Sequence, residues 1–140
     1  MSADDIPLLF RNSSRGMRAR ELREFLRQMS RGRTVTCLIT DDRELRKLNR
    51  QFLGKDYATD VLSFPNGSGG EIAISLNRAE AQARHHGHSL FDELRILMLH
   101  GVLHLQGMDH ETDSGEMARA ELRWRKKLGL PTGLSERART

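Results

Sequence analysis

The segment His100-Gly-Val-Leu-His104-Leu-Gln-Gly107-Met-Asp-His110 holds three imidazoles at a spacing that can close around one metal ion. If the segment is helical, positions 100 and 104 stand one turn apart on the same face. Gly107 then ends the helix, and the positive φ open to glycine allows a turn that carries His110 back toward the first two. Three protein nitrogens with a fourth position left open is the composition of a catalytic zinc site; structural sites are closed by four ligands and usually use cysteine. One transition-metal ion per chain, held by His100, His104 and His110, is the expectation.

The alternative is that His100 and His104 are core histidines on an apolar helix. A third histidine just past a helix-ending glycine argues for the metal. The pattern resembles the long zincin signature, histidine-glutamate-x-x-histidine-x-x-glycine-x-x-histidine, with Gly101 where the general-base glutamate belongs. A peptidase of that type needs this carboxylate to take a proton beside the metal, so the site does different chemistry or draws a base from elsewhere.

The chain of 140 residues is long enough for one domain with a real core, read as residues 1–130, followed by a polar basic tail at 131–140. Its single cysteine, Cys37, excludes an internal disulfide framework and fits a reducing compartment. In Val35-Thr-Cys37-Leu-Ile39 the odd positions share a strand face, which makes Cys37 a core thiol. The acidic start Met-Ser-Ala-Asp-Asp lacks the layout of a secretion signal, and no apolar run approaches the ~20 residues of a membrane span. The expectation is a cytoplasmic protein. Net charge is +4, but it is unevenly spread: residues 1–33 sum to +4, residues 34–118 to −5 and residues 119–140 to +5. Arginine outnumbers lysine nineteen to four, and its planar fork suits phosphate. Each basic run alone reads as a solvated helix face; two of them on one small domain point to a polyanionic partner.

The elements that must position the histidines follow from periodicity. Leu8–Arg11 reads as a strand and residues 17–29 as an amphipathic helix with Leu22, Phe25, Leu26 and Met29 inward. Val35–Thr40 is a strand. Asp41, with Glu44 three residues on, starts a helix to about Phe52. Val61–Phe64 and Ile72–Ser75 form a hairpin across a loop at Pro65–Gly70, whose glycines lead into a strand and so make a poor phosphate cradle. Ser75 caps a helix to about His86, and Ser89 caps the next, roughly 90–106, apolar on most sides as a central helix should be. Residues 114–128 form a last helix with Met117, Leu122 and Leu128 inward. His85, His86 and His88 read as a surface helix terminus. The result is an α+β fold: a small mixed four-stranded sheet, about five helices, and a zincin-like three-histidine site on the central helix.

Two segments together resemble one family. Asn49 through Pro65, containing Lys55-Asp56 and Thr59-Asp60-Val-Leu-Ser63-Phe64-Pro65, and the stretch from His100 to His110 are similar to the YbeY endoribonucleases, bacterial ribosomal RNA maturation factors, over about residues 34–128. The resemblance implies a zinc-dependent nuclease acting on single-stranded RNA at the 3′ end of 16S ribosomal RNA. It also implies work with the small ribosomal subunit in ribosome quality control. Members commonly carry an arginine where Leu53 stands, aspartate where Glu71 stands and proline where Ala58 stands. Without the arginine, Arg50 and then Lys55 are the candidate cations for phosphate at the catalytic site. Asp109 is a candidate acceptor for a ligand N–H or a turn cap; Ser63 and Thr59 read as structural. The competing classes are a zincin-like metallopeptidase, opposed by Gly101, and a ribosome assembly factor whose metal is mainly structural.

Overall fold

The computed structural model describes residues 8–10, 16–56, 59–67, 69–109 and 112–130. In chain order its elements are β1 (Leu8–Phe10), α1 (Ala19–Ser30), β2 (Val35–Thr40), α2 (Asp42–Leu53), β3 (Val61–Asn66), β4 (Gly69–Ser75), α3 (Leu76–His86), α4 (Leu90–Leu105) and α5 (Glu116–Leu128). The four strands form one sheet in the order β1-β2-β4-β3. β1 and β4 run parallel to β2, and β3 runs antiparallel to β4. This is the mixed α+β architecture that the alternation of strand and helix patterns leads one to expect.

The side-chain alternation of the strands divides the core in two. Val35, Cys37 and Ile39 of β2 and Ile72 and Ile74 of β4 pack with α1 and α4 in the main core. Leu62 and Ala73 point the other way and meet Leu45 of α2, with Leu48 and Phe64 beside them. Thus α4 and α2 lie on opposite faces of the sheet. Cys37 is wholly buried, and burial pushes its thiol up to about 12, which removes it as a nucleophile.

Three helix starts are set by the side chains the sequence marks. Asp41 accepts from the Glu44 amide at 2.9 Å, Ser75 from that of Arg78 at 3.3 Å, and Ser89 from that of Asp92 at 3.0 Å. α4 is buried along nearly its whole length, as its apolar composition requires.

The hairpin departs from expectation. Pro65 and Asn66 belong to β3, and the ladder runs on to Asn66 opposite Gly69, so the connection is far shorter than a Pro65–Gly70 loop. The glycines serve backbone contact: a Cβ on Gly69 would lie 2.0 Å from the Thr34 carbonyl oxygen. One on Gly70, where φ is +152°, would lie 2.4 Å from that of Phe64.

The histidine cluster also differs in part. His85 and His86 are exposed, but the His88 side chain is only 10% exposed, and its Nε2 lies 2.6 Å from Oε1 of the fully buried Glu93. It is a buried polar pair between the α3–α4 connection and α4. In α5 the inward stripe is Met117, Ala120 and Glu121, with Trp124 and Leu128 partly covered; Leu122 lies off it, half-buried. Among the described residues no helix is long and apolar enough to cross a membrane.

Candidate metal centre

The centre is built on the C-terminal half of α4. His100 and His104 share a helix face, with ring centroids 4.6 Å apart and planes inclined by 76°. Their Nε2 atoms converge to 3.0 Å. Two nitrogens bound to one tetrahedral zinc at 2.0–2.1 Å would stand roughly 3.3 Å apart, so the pair is already close to that spacing.

The other side of the His100 ring explains its orientation. Nδ1 lies 2.7 Å from Oε1 of Glu121 on α5, and both side chains are buried. With Nδ1–H donated to the carboxylate, the Nε2 lone pair is left facing His104, the tautomer a metal ligand needs. Glu121 escapes the periodicity reading because Leu122 is the more obvious apolar choice. A signal for it does exist: it falls four residues after Met117 and one after Ala120, a carboxylate inside an apolar stripe, where a charge must have a partner.

Gly101 faces the sheet. A Cβ there would lie 3.0 Å from two carbons of the Ile72 side chain, and its carbonyl accepts the Ser63 hydroxyl of β3 at 3.2 Å. The place where a zincin carries its glutamate is therefore the contact between α4 and the sheet, where any side chain would press on Ile72. Gly107 has φ +91° just past Gln106, the residue that caps α4, as the helix-end reading requires.

The third predicted ligand, His110, lies outside the described residues, as do Ala58 and the tail at 131–140. Among the described residues no group of three histidine, cysteine, aspartate or glutamate side chains is placed to hold a metal. The two histidines that are described fit an ion in donor type and spacing, and the Glu121 contact favours the ligand tautomer of His100. The Asp109 carbonyl accepts from the amides of Thr112 at 3.2 Å and Asp113 at 3.0 Å, which closes a turn there.

The candidate cations are less direct. Arg50 is exposed on α2, and Lys55 is exposed just beyond it, with its amide bonded to the Asn49 carbonyl at 3.2 Å. Both lie on the side of the sheet away from α4. Phe52 meets Phe64 edge to face at 5.7 Å, which brings the end of α2 to the edge strand β3, whose Ser63 touches α4. Nearby, Arg46 holds Asp56 at 2.9 Å, and this hydrogen bond lowers the Asp56 carboxyl below its ordinary range.

Comparison with known proteins identifies the family. The model of a family described as Endoribonuclease YbeY matches residues 13–129. An Endoribonuclease YbeY of Solibacter usitatus is 52% identical, with 99% of each chain covered. One from Koribacter versatilis is 58% identical over 74% of this chain and 70% of its own. Among solved structures, the solution structure of TM1509 from Thermotoga maritima superposes with a TM-score of 0.57 at 28% identity, covering 86% of this chain and 93% of that one. A match over most of the chain, with relatives above half identity, leaves one conclusion: the chain belongs to the YbeY endoribonuclease family.

Proposed function

We propose that this chain is a zinc-dependent endoribonuclease that cuts single-stranded RNA in maturing the 16S ribosomal RNA 3′ end. It would act with the small ribosomal subunit, in ribosome quality control as well, and in the cytoplasm. The observation that carries the reading is the convergence of the His100 and His104 Nε2 atoms at 3.0 Å, with His100 held from behind by Glu121, in a chain of this family. His110 is the proposed third ligand. When bound, a zinc ion supplies Lewis acidity toward a phosphoryl oxygen and a more acidic water.

The chain's own residues account for the rest. Glu121 fixes the His100 tautomer, and Ser63 and Ile72 seat α4 on the sheet. Arg50, with Lys55 second, is the proposed cation for the phosphate, reaching round β3 from the end of α2. A peptidase is disfavoured because Gly101 meets Ile72 where the base would have to stand. The experiment is metal analysis with paired substrates. The loaded protein should contain one zinc, cleave single-stranded RNA, lose that activity with chelator and leave casein intact. His104→Ala should lose the tightly held ion. Chelator-sensitive casein hydrolysis without RNA cleavage would overturn the reading.

A further inference from the structure

Two stretches of this chain carry cations with no acid among them. Residues 25–40 hold Arg27, Arg31 and Arg33; residues 122–130 hold Arg123, Arg125, Lys126 and Lys127. They are far apart in sequence, and the fold joins them on one indole ring. The Arg31 guanidinium carbon lies 5.1 Å from the Trp124 ring centroid, and the Lys127 ammonium lies 5.0 Å from the same centroid. Two cations on one ring are then no more than about 10 Å apart.

The ion pairs show how unusual this end is. At the start of α1 and of α5, Arg18 pairs with Glu21 and Arg119 with Glu116, and in the last turn of α1 Arg27 pairs with Glu24. Among the described residues, none of Arg31, Arg33, Arg123, Lys126 and Lys127 forms an ion pair with another described side chain, and all five are exposed. The helix dipole favours a cation or two in a last turn. It does not account for Arg33 beyond α1, nor for Arg31 and Lys127 meeting on one ring.

We propose that this joint is a docking face for the sugar–phosphate backbone of an RNA segment other than the one being cut. Three of the five cations are arginines, whose forks match phosphate oxygens, and a polyanion relieves a mutual repulsion that no ion pair among the described residues offsets. An anionic membrane is the weaker match. Among the described residues the exposed large apolar side chains are Leu9, Phe52 and Leu53, which belong to β1 and α2 and not to this face. Trp124 follows Glu121 by three residues on α5, so the face begins about one helical turn from the carboxylate that holds His100. RNA lying on it would continue toward the histidines, and a long substrate would be held at two places. This rests on the RNA-cleaving reading above.

The experiment compares wild type with Arg31→Glu/Lys127→Glu in the zinc-loaded full chain. The probes are a long ribosomal RNA fragment and an oligonucleotide of a few nucleotides. The variant should bind the long fragment about tenfold or more weakly near 0.1 M salt. The slope of log affinity against log salt should fall by roughly 0.7–0.9 for each phosphate the variant no longer neutralises. Zinc content and cleavage of the short oligonucleotide should stay at the wild-type level. The milder Arg31→Gln/Lys127→Gln gives the same readout should charge reversal impair folding, and Arg31→Lys/Lys127→Arg should retain the slope. An unchanged slope on the long fragment, equal losses on both RNAs, or a loss seen only with anionic vesicles would overturn the proposal. If wild type cleaves neither RNA, the enzymatic reading fails, while the binding slopes still decide the docking face.

Discussion

At the scale of single residues, the centre depends on what stands behind the histidines. Glu121→Gln keeps a hydrogen-bond acceptor near the size of the original but removes the charge that fixes the His100 N–H. Metal affinity should fall ten- to a hundredfold, with the fold intact, in competition against a chromophoric chelator. If Arg50 is the phosphate cation proposed above, Arg50→Ala should lower single-turnover RNA cleavage about a hundredfold and leave metal content unchanged, as expected for a charge that acts on the transition state. If Arg50→Ala cuts at the wild-type rate, the role passes to Lys55. The histidine spacing is legible in the sequence because a helix repeats one face every three to four residues. Glu121 is not, because its partner is twenty-one residues away and its neighbour Leu122 competes for the inward position.

Among the elements, the fit of α4 on β4 decides which reaction the helix can support. Gly101→Glu would restore the zincin spelling and yet should give no peptidase. The added side chain must displace Ile72, which is 1% exposed, and overpacking of this kind costs about 1–3 kcal/mol before any buried charge is counted. Chemical denaturation should show the destabilisation, and a casein assay should stay blank. The helices are legible where a side chain caps them, at Asp41, Ser75 and Ser89. The hairpin misleads because glycine and proline normally punctuate chains; here Gly69 and Gly70 are in the ladder, their missing side chains making room for the carbonyls of Thr34 and Phe64. Gly101 carries its chemical meaning in the sequence, as an absent base, while its packing against Ile72 depends on a sheet no local pattern describes.

For the molecule as a whole, the buried thiol gives stability a dependence on alkaline pH. Folding raises Cys37 from 9.0 to about 12, so above pH 9 only the unfolded chain ionises this group. Its contribution to stability is complete below pH 9 and is lost as pH rises toward 12, by about 1.4 kcal/mol per unit. Urea midpoints at pH 8 and pH 10.5 should differ by less in Cys37→Ala than in wild type. The enclosure of α4 between the sheet and the helices around it implies that the metal-free protein folds on its core alone, which opposes a mainly structural ion. Circular dichroism of chelator-treated protein should retain the full helical signal.

That enclosure also makes α4 a clock. A helix wrapped on nearly every side cannot open by fraying, so its central amides exchange with deuterium only when the whole domain comes apart. The histidines ride on the slowest-exchanging part of the chain. An ion that binds the folded form alone lengthens the lifetime of those protons by the factor one plus its free concentration over its dissociation constant. The amides of Leu97 to Val102, timed at a series of buffered zinc levels, would therefore weigh the ion's affinity without a substrate, a dye or a turnover.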